Sequence, residues 1–191
     1  GLQDGQIDYD FKLVCFDSEN WIGNGFLIPS GPMREKIESL KKYDAVIIKT
    51  IDEKFDLTEI NRSIHKINPT IKIFYSFFKI KNKDEFSLND KFLIFSGIGN
   101  NNSFKEILIK NDFNIVDEIV FPDHFDYTTF NILKILKIAE NKNLKIITTE
   151  KDYVKIPKYL REKINFIKID LKILEQKKLT ELIESKINEI N

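Results

Sequence analysis

Short apolar runs alternate along this chain with amphipathic stretches of helical period, and this alternation limits the possible folds more than any other feature. Runs of strand length separated by helices are typical of βαβ units, in which helices cover both faces of a mainly parallel sheet. The sequence therefore predicts an α/β fold. The predicted strands are 12–17, 44–49, 71–78, 91–96, 115–121, 144–148 and 165–169. The predicted helices are 34–42, 57–66, 103–110, 128–141 and 178–189.

A polar stretch near the middle of the chain interrupts this pattern. Residues 79–90 are rich in charged side chains and show neither the period of a helix nor that of a strand. We therefore predict three parts. A first region covers 1–80, a polar connection covers 81–90, and a second α/β lobe covers 91–191.

Charge and composition exclude several classes of protein. The 191 residues carry 30 Lys and Arg against 30 Asp and Glu, which provides no basic surface of the kind that binds nucleic acid. With 42% hydrophobic residues the chain can bury a core, so disorder as the main state is excluded. No apolar run reaches the roughly 18 residues of a membrane span, and we predict no signal peptide.

Two observations concern single residues. Cys15 is the only cysteine and lies within an apolar run, so we predict a buried thiol in a protein of a reducing compartment. The chain begins at Gly1 and its only methionine is Met33. We therefore expect either that natural sequence precedes Gly1 or that Gly1 is a cloning remnant.

The segments that follow predicted strands are the candidate sites, because ligands of open α/β sheets bind beyond the carboxyl ends of the strands. The longest such segment covers 18–35, and loops of this length in compact domains usually carry function. Pro32 predicts the start of a helix whose first turn carries Arg34 and Glu35, where an anion could bind. The alternative is a long turn with an Arg–Glu pair on the surface.

Two later strand exits contain a glycine pair and a histidine. The Gly-Ile-Gly at 97–99 resembles a dinucleotide-binding turn, but the third glycine of that motif is absent, and a tight turn is the alternative. His124 stands between Asp123 and Asp126, either of which could orient its imidazole for proton transfer. The alternative is a structural histidine held by hydrogen bonds.

A further exit covers 148–152. Thr149 and Asp152 have the spacing of a helix cap, and Lys151 would lie at the same helix start, within reach of an anion. Capping alone explains these residues as well as binding does, so both interpretations stay open. Thr128 is likewise a predicted N-cap, for the helix that follows His124.

Taken in order, these segments resemble one family, the tetraacyldisaccharide 4'-kinase, which is the lipid A 4'-kinase of Gram-negative bacteria. The resemblance runs from Gly1 to about Pro157. The family has Phe and His where this chain has Leu2 and Asp4, and it has Pro after Gly-Ile-Gly where this chain has Asn. The matching stretches are 1–3, 15–17, 23–35, 44–46, 95–99, 121–124, 127–128 and 148–152.

The resemblance implies a P-loop-kinase-like transferase. The family moves the γ-phosphate of ATP to the 4'-hydroxyl of a tetraacylated glucosamine disaccharide, with Mg²⁺. The part that matches is its C-terminal part, and no Gly-Lys-Ser/Thr of a P-loop occurs in this sequence. We therefore expect the ATP cradle outside this chain, in a P-loop half that lies upstream or on a separate chain. The chain alone is expected to be inactive.

Residue by residue, the resemblance implies a set of site residues. His124 matches the histidine that partners the family's catalytic Asp, and that Asp lies outside this chain. We also predict that Arg34 and His124 face one cleft. The implied residues are His124 (catalytic), Asn24 and Arg34 (substrate-binding), Lys151 and Asp152 (cofactor-binding) and Glu35 (metal).

The implied partners are the acylated disaccharide and the inner membrane, which the protein would contact peripherally from the cytoplasm. Two alternatives stay open. The chain could be a non-catalytic remnant or binding module that holds the acylated disaccharide or another subunit. A third and weaker hypothesis is a small nucleotide-binding domain that uses the Gly-Ile-Gly at 97–99.

Overall fold

A computed structural model describes residues 7, 9–51 and 56–189 and divides the chain into two units. One unit combines Gly1–Phe78 with Leu171–Asn191, and the other is Lys79–Asp170. These units differ from the predicted ranges 1–80, 81–90 and 91–191. The C-terminal segment groups with the first unit, and the polar stretch groups with the second.

Strands and helices alternate through the described residues as the sequence predicts. The strands are β1 (Leu13–Asp17), β2 (Ala45–Lys49), β3 (Lys72–Ile80), β4 (Lys91–Ser96), β5 (Asn114–Val120), β6 (Lys145–Thr149), β7 (Ile164–Ile167) and β8 (Ile169–Ile173). The helices are α1 (Thr58–Ile67), α2 (Asn101–Lys110), α3 (Thr129–Lys142), α4 (Glu150–Tyr153) and α5 (Gln176–Asn188). Short 3₁₀ helices cover Ile37–Lys42, Lys83–Glu85 and Lys158–Lys163.

The first sheet has the strand order β1-β2-β3-β8. Strand β2 runs parallel to β1 and to β3, and its apolar residues are almost completely buried. Near-continuous apolar sequence is what a parallel strand needs when both of its faces are covered. The core on one face contains Val46, Ile48 and Ile64, whereas Ala45, Ile47 and Leu179 pack on the other. The predicted α/β class is confirmed.

The second sheet has the order β5-β4-β6-β7, and all its neighbouring strands are parallel. Helix α2 packs on the face formed by Phe92 and Ile94, and α3 packs on the opposite face with Leu93 and Phe95. The connection from β4 leads to β5 on one side, and the next strand, β6, lies on the other side of β4. Such a reversal of strand order creates a crevice at the carboxyl ends of the strands, where ligands of open α/β sheets bind.

The predicted helix over 34–42 is wrong in its first turn. Regular structure begins only at Ile37, as a 3₁₀ helix whose N-cap position, Lys36, forms no side-chain cap. The chain before it pairs instead with an earlier part of the same loop. Met33 forms a bridge with Leu27, and the Ile28 N–H donates to the Met33 carbonyl at 2.9 Å. Pro32 therefore does not begin a helix, and Arg34 does not lie at a helix N-terminus.

Two other local predictions are corrected. Cys15 is exposed rather than buried, because β1 is a terminal strand of its sheet and the side chains of Val14 and Phe16 alternate with that thiol. The predicted strand 165–169 is divided into β7 and β8 at Lys168. Its backbone N–H donates to the side chain of Asn82 at 2.9 Å, a partner 86 residues away in the chain.

Candidate functional site

Polar residues of the second unit collect where its parallel strands end. Strands β4, β5 and β6 finish at Ser96, Val120 and Thr149, and parallel register places these ends along one edge of the sheet. The predicted residues His124, Lys151 and Asp152 all follow these ends. The structure therefore places this part of the predicted site at the crevice described above.

His124 lies in a tight turn beyond β5. The Phe125 N–H donates to the carbonyl of Pro122 at 3.2 Å, and His124 has a φ of +60°, in the left-handed region. A second hydrogen bond joins the backbone N–H of His124 to the Gly97 carbonyl at 3.2 Å. Its imidazole is 75% exposed. The backbone of His124 is thus held by the protein while its side chain is open to a ligand.

Asp123 connects two of the predicted site residues. One carboxylate oxygen lies 3.7 Å from His124 Nε2, and the other lies 3.5 Å from Lys151 Nζ. Desolvation acts to raise the pKa of Asp123, but the charges of His124 and Lys151, with the hydrogen bond from the His124 N–H, hold it below its ordinary value. Of the two carboxylates predicted to orient the imidazole, the structure places Asp123 beside the ring.

Asp152 has a different environment, because its side chain is fully buried. Oδ2 accepts hydrogen bonds from the Gly97 N–H at 2.9 Å and from the Thr149 hydroxyl at 2.8 Å. Thr149 in turn accepts from the Asp152 N–H at 3.1 Å, so the predicted cap at the start of α4 is present. The cofactor-binding role assigned to Asp152 stays a prediction. What the structure shows is a carboxylate occupied by protein donors.

The glycines of the 97–99 turn face protein atoms. A Cβ on Gly97 would lie 3.0 Å from the Tyr127 hydroxyl and 3.1 Å from the Pro122 carbonyl. A Cβ on Gly99 would lie 3.4 Å from the Asp123 carboxylate. Packing against the chain itself therefore explains the glycine at 97, and a carboxylate lies where a dinucleotide phosphate would approach.

The first unit contains the other three predicted residues. Asn24 forms two hydrogen bonds within its own loop. Its side-chain amide donates to the Ser30 carbonyl at 2.8 Å and accepts from the Phe26 N–H at 3.1 Å. Gly31 supports this arrangement, since a Cβ there would lie 2.2 Å from the Asn24 amide oxygen. Asn24 is exposed, and its substrate-binding role stays a prediction.

Arg34 and Glu35 line a cavity of about 320 Å³ beside β1. Arg34 is exposed and Glu35 is half-buried. Burial and then the negative charge of Glu35 raise the pKa of Tyr43, which lines the same cavity. Further lining residues are Asp17, Trp21, Met33 and Lys36.

Glu35 is the residue predicted to bind a metal ion. Within residues 7, 9–51 and 56–189, no three His, Cys, Asp or Glu side chains are grouped so as to hold a metal ion. Mg²⁺ is commonly held by only one or two carboxylates together with substrate phosphates, so a single Glu35 carboxylate fits that chemistry. Arg34 and Glu35 lie in the first unit and His124 in the second, and their shared cleft stays a prediction.

Two further residues at the strand ends of the second unit were assigned no role from the sequence, although 127–128 is among the stretches that match the family. Tyr127 and Lys155 both approach the buried Asp152, and Lys155 also donates to the Phe125 carbonyl at 3.2 Å. Lys155 follows Asp152 by three residues, which is the spacing of an ion pair on a helix and could have indicated the contact. The burial of Tyr127 had no comparable signal in the sequence.

These features define a class: α/β proteins whose ligands bind beyond the carboxyl ends of parallel strands. Comparison with known proteins makes the class narrower. The family model described as Tetraacyldisaccharide-1-P 4'-kinase matches residues 1–188. The chain belongs to this family, so the predicted resemblance is confirmed.

Individual relatives agree with the family match. The Tetraacyldisaccharide 4'-kinase of Pelagibacter ubique is 41% identical over 191 residues, which are 100% of this chain and 60% of the relative. The enzyme of Rickettsia typhi is 34% identical over 97% of this chain and 55% of its own length. The crystal structure of LpxK from Aquifex aeolicus in complex with ATP matches with a TM-score of 0.62 and 20% identity, over 97% of this chain and 55% of that one. The last comparison shows the fold alone.

The chain thus spans between half and two thirds of the length of these relatives. Among the residues that the structure describes, no helix is both long enough and apolar enough to cross a membrane.

Proposed function

We propose that this chain is the C-terminal portion of an ATP-dependent lipid A 4'-kinase. The complete enzyme would transfer the γ-phosphate of ATP to the 4'-hydroxyl of a tetraacylated glucosamine disaccharide. The observation that carries the proposal is the family match over residues 1–188. Because no Gly-Lys-Ser/Thr occurs in the sequence, we propose that turnover requires a P-loop half, supplied upstream or by a separate chain.

The described residues suit phosphoryl transfer, in which catalysis consists mostly of positioning and charge stabilisation. His124 would present an exposed imidazole that holds a proton next to Asp123. Lys151 would bring a cation to the same crevice, and Arg34 a planar donor for a phosphate of the disaccharide. Glu35 would hold Mg²⁺, which when bound neutralises charge on the transferred phosphate.

A peripheral position on the cytoplasmic face of the inner membrane is part of the same proposal. Large apolar side chains are exposed on the loop of the first unit, at Phe26 and Ile28, and at the start of α3, at Phe130 and Leu133. Exposed apolar side chains of this kind suit contact with acyl chains. An acylated substrate would then be taken from the membrane surface.

A non-catalytic remnant or binding module is the second candidate. It would keep the acylated disaccharide or a partner subunit as its ligand, and it differs from the first proposal only in lacking turnover. The third hypothesis, a small nucleotide-binding domain built on residues 97–99, is not proposed, because the Asp123 carboxylate and Tyr127 hydroxyl lie against that turn.

A hybrid enzyme tests the proposal. The part of the Pelagibacter ubique relative that this chain does not cover is joined to the 191 residues, and phosphate transfer from ATP to the acylated disaccharide is measured with Mg²⁺. We expect turnover by the hybrid and none by the chain alone. His124→Asn should lower kcat by roughly 10²–10⁴-fold with little change in KM.

Asparagine is the appropriate replacement because it tolerates the left-handed backbone that His124 adopts. A thermal melt of the same variant separates a lost catalytic group from lost folding. Turnover by the isolated chain would contradict the requirement for a second half. Full kcat in the folded His124→Asn hybrid would remove the catalytic role of the imidazole, and an inactive but disaccharide-binding hybrid would favour the binding module.

A further inference from the structure

The buried carboxylate of Asp152 contacts more of the second unit than a helix cap requires. It is 0% exposed and accepts hydrogen bonds from the Gly97 N–H at the end of β4 and from Thr149 at the end of β6. Its other oxygen lies 3.7 Å from Lys155 Nζ. That ammonium donates to the Phe125 carbonyl, in the turn beyond β5. Asp152 and Lys155 together thereby link three strand ends.

Gly97 connects Asp152 to His124. Its N–H is held by Asp152 at 2.9 Å, and its carbonyl, in the next peptide group, accepts from the His124 N–H at 3.2 Å. The same His124 N–H also donates to the Asp123 carboxylate at 2.9 Å. The planar peptide group between Ser96 and Gly97 is held on both sides, because its N–H donates to Asp152 and its Ser96 carbonyl accepts from the Phe121 N–H at 2.9 Å. The left-handed conformation of His124 is uncommon for a residue with a side chain and needs support of this kind.

Tyr127 also lies close to the Asp152 carboxylate. Its hydroxyl and Asp152 Oδ1 are buried, and neither forms a hydrogen bond among the described residues. They are nevertheless close enough that burial and the Asp152 charge raise the pKa of Tyr127 above its ordinary value. Burying a carboxylate costs free energy, and here the Gly97 N–H, the Thr149 hydroxyl and the Lys155 ammonium offset that cost.

We propose that Asp152 is a positioning residue, whose buried carboxylate holds the Gly97 peptide and thereby places the backbone of His124 at the crevice. It acts through Gly97 and does not itself touch a ligand. The proposal rests on the proposed function only where turnover is the readout. Amide exchange can be measured on the 191-residue chain alone.

Two adjacent threonines offer a matched pair of variants. The Thr149 hydroxyl donates to Asp152 Oδ2, whereas the Thr148 hydroxyl donates to the Phe95 carbonyl at 2.7 Å and is fully buried. Thr149→Val and Thr148→Val remove the same group from neighbouring positions of β6, but only the first loosens the Asp152 carboxylate. Asp152→Ala removes the carboxylate, and Asp152→Asn keeps an oxygen that can accept from the Gly97 N–H.

Amide hydrogen exchange and ¹H–¹⁵N spectra of the full chain provide the measurement. We expect Asp152→Ala to speed exchange at the Gly97 amide by about 10- to 100-fold, as the loss of a buried hydrogen bond implies. The His124 amide should speed up by a smaller factor, because it keeps its own acceptors, the Gly97 carbonyl and the Asp123 carboxylate. Asp152→Asn should restore much of the protection at Gly97. Thr149→Val should speed exchange at both amides by a smaller factor, and Thr148→Val should leave them unchanged.

In the hybrid enzyme, Asp152→Asn and Thr149→Val should lower kcat while KM for ATP and for the disaccharide stays near that of the parent. Equal effects of Thr148→Val and Thr149→Val on the His124 amide would overturn the proposal. If Asp152→Ala does not fold, the exchange rates of Thr148→Val and Thr149→Val still test the proposal. A hybrid without activity would contradict the proposed function, while the exchange data would still test the role of Asp152.

Discussion

The two units hold their predicted site residues in different ways. In the second unit, His124 and Lys151 both lie beside Asp123. The buried carboxylate of Asp152 hydrogen-bonds to Gly97 at the end of β4. In the first unit, residues 18–36 form a loop in which both side-chain hydrogen bonds of Asn24 are exposed. Buried hydrogen bonds exclude water and restrict motion, whereas exposed ones exchange readily with solvent.

This difference suggests a division of labour. A group that handles a proton needs a fixed position, and the second unit provides one at its strand ends. The proposed function requires a segment that adapts to a large acylated substrate, and a loop with exposed Phe26 and Ile28 can do so. Mutations in the packed second unit should therefore lower stability more than mutations in the loop of the first unit.

The largest difference is expected between two phenylalanines. Phe95 is 0% exposed at the centre of the second unit, and Phe26 is 63% exposed on the loop of the first. Phe95→Ala leaves a cavity and should destabilise the fold by about 3–5 kcal/mol. Phe26→Ala should cost less than about 0.5 kcal/mol. Urea unfolding followed by circular dichroism measures both, and similar losses would show that the loop is as firmly packed as the core.

Much of the fold could be predicted from sequence because its signals are local. The period of α3 and the cap at Thr128 are both present, with Asn131 completing a capping box. Apolar runs such as those within 91–96 and 44–49 predicted buried parallel strands for the same reason, and β4 and β2 are found there. Short-range patterns of this type act before any tertiary contact is formed.

Other features depend on residues distant in the chain, and there the predictions failed. Met33 pairs with Leu27 and so displaces the helix start that Pro32 indicated. The contact between Asp152 and Gly97 joins residues 55 apart, and no pattern in the sequence indicates it. Partners close in the chain, such as Asp123 for His124 and Thr149 for Asp152, could be predicted, whereas partners distant in the chain could not.

The next effect in size concerns the glycine turn of the second unit. Gly97→Ala would place a Cβ 3.0 Å from the Tyr127 hydroxyl, 3.1 Å from the Pro122 carbonyl and 3.2 Å from Phe125 Cβ. Such overpacking should cost about 1–3 kcal/mol. Gly99→Ala is the matched control, because its Cβ would make only an ordinary contact at 3.4 Å and the cost should be small. Equal melting temperatures for the two variants would mean that the turn is not tightly packed.

A smaller effect is expected for the loop of the first unit. Asn24→Ala removes two exposed hydrogen bonds, to Ser30 and from Phe26, and should lower stability by about 1 kcal/mol or less. The Phe26 amide should nevertheless exchange faster with solvent, because it loses its acceptor. Asn20→Ala serves as the control, since the Asn20 side chain forms no hydrogen bond within the described residues. An unchanged Phe26 amide would show that Asn24 does not shape the loop.

The smallest effect concerns an ion pair on the surface of the second unit, between Asp117 and Lys142 at 2.6 Å. The hydrogen bond from Lys142 is the main cause that holds the pKa of Asp117 below its ordinary value of 3.8. A carboxyl whose pKa is lowered by folding stabilises the protein above its ordinary pKa, and this contribution is lost as the pH falls through the folded value. Lys142→Met should therefore lower stability at pH 7 by less than about 1 kcal/mol, because the pair is partly exposed. The difference from the parent should shrink below about pH 3.8 and in high salt, whereas Lys134→Met on the same helix should show neither dependence. A loss of equal size at pH 2 and pH 7 would assign the effect to packing of the lysine stem rather than to its charge.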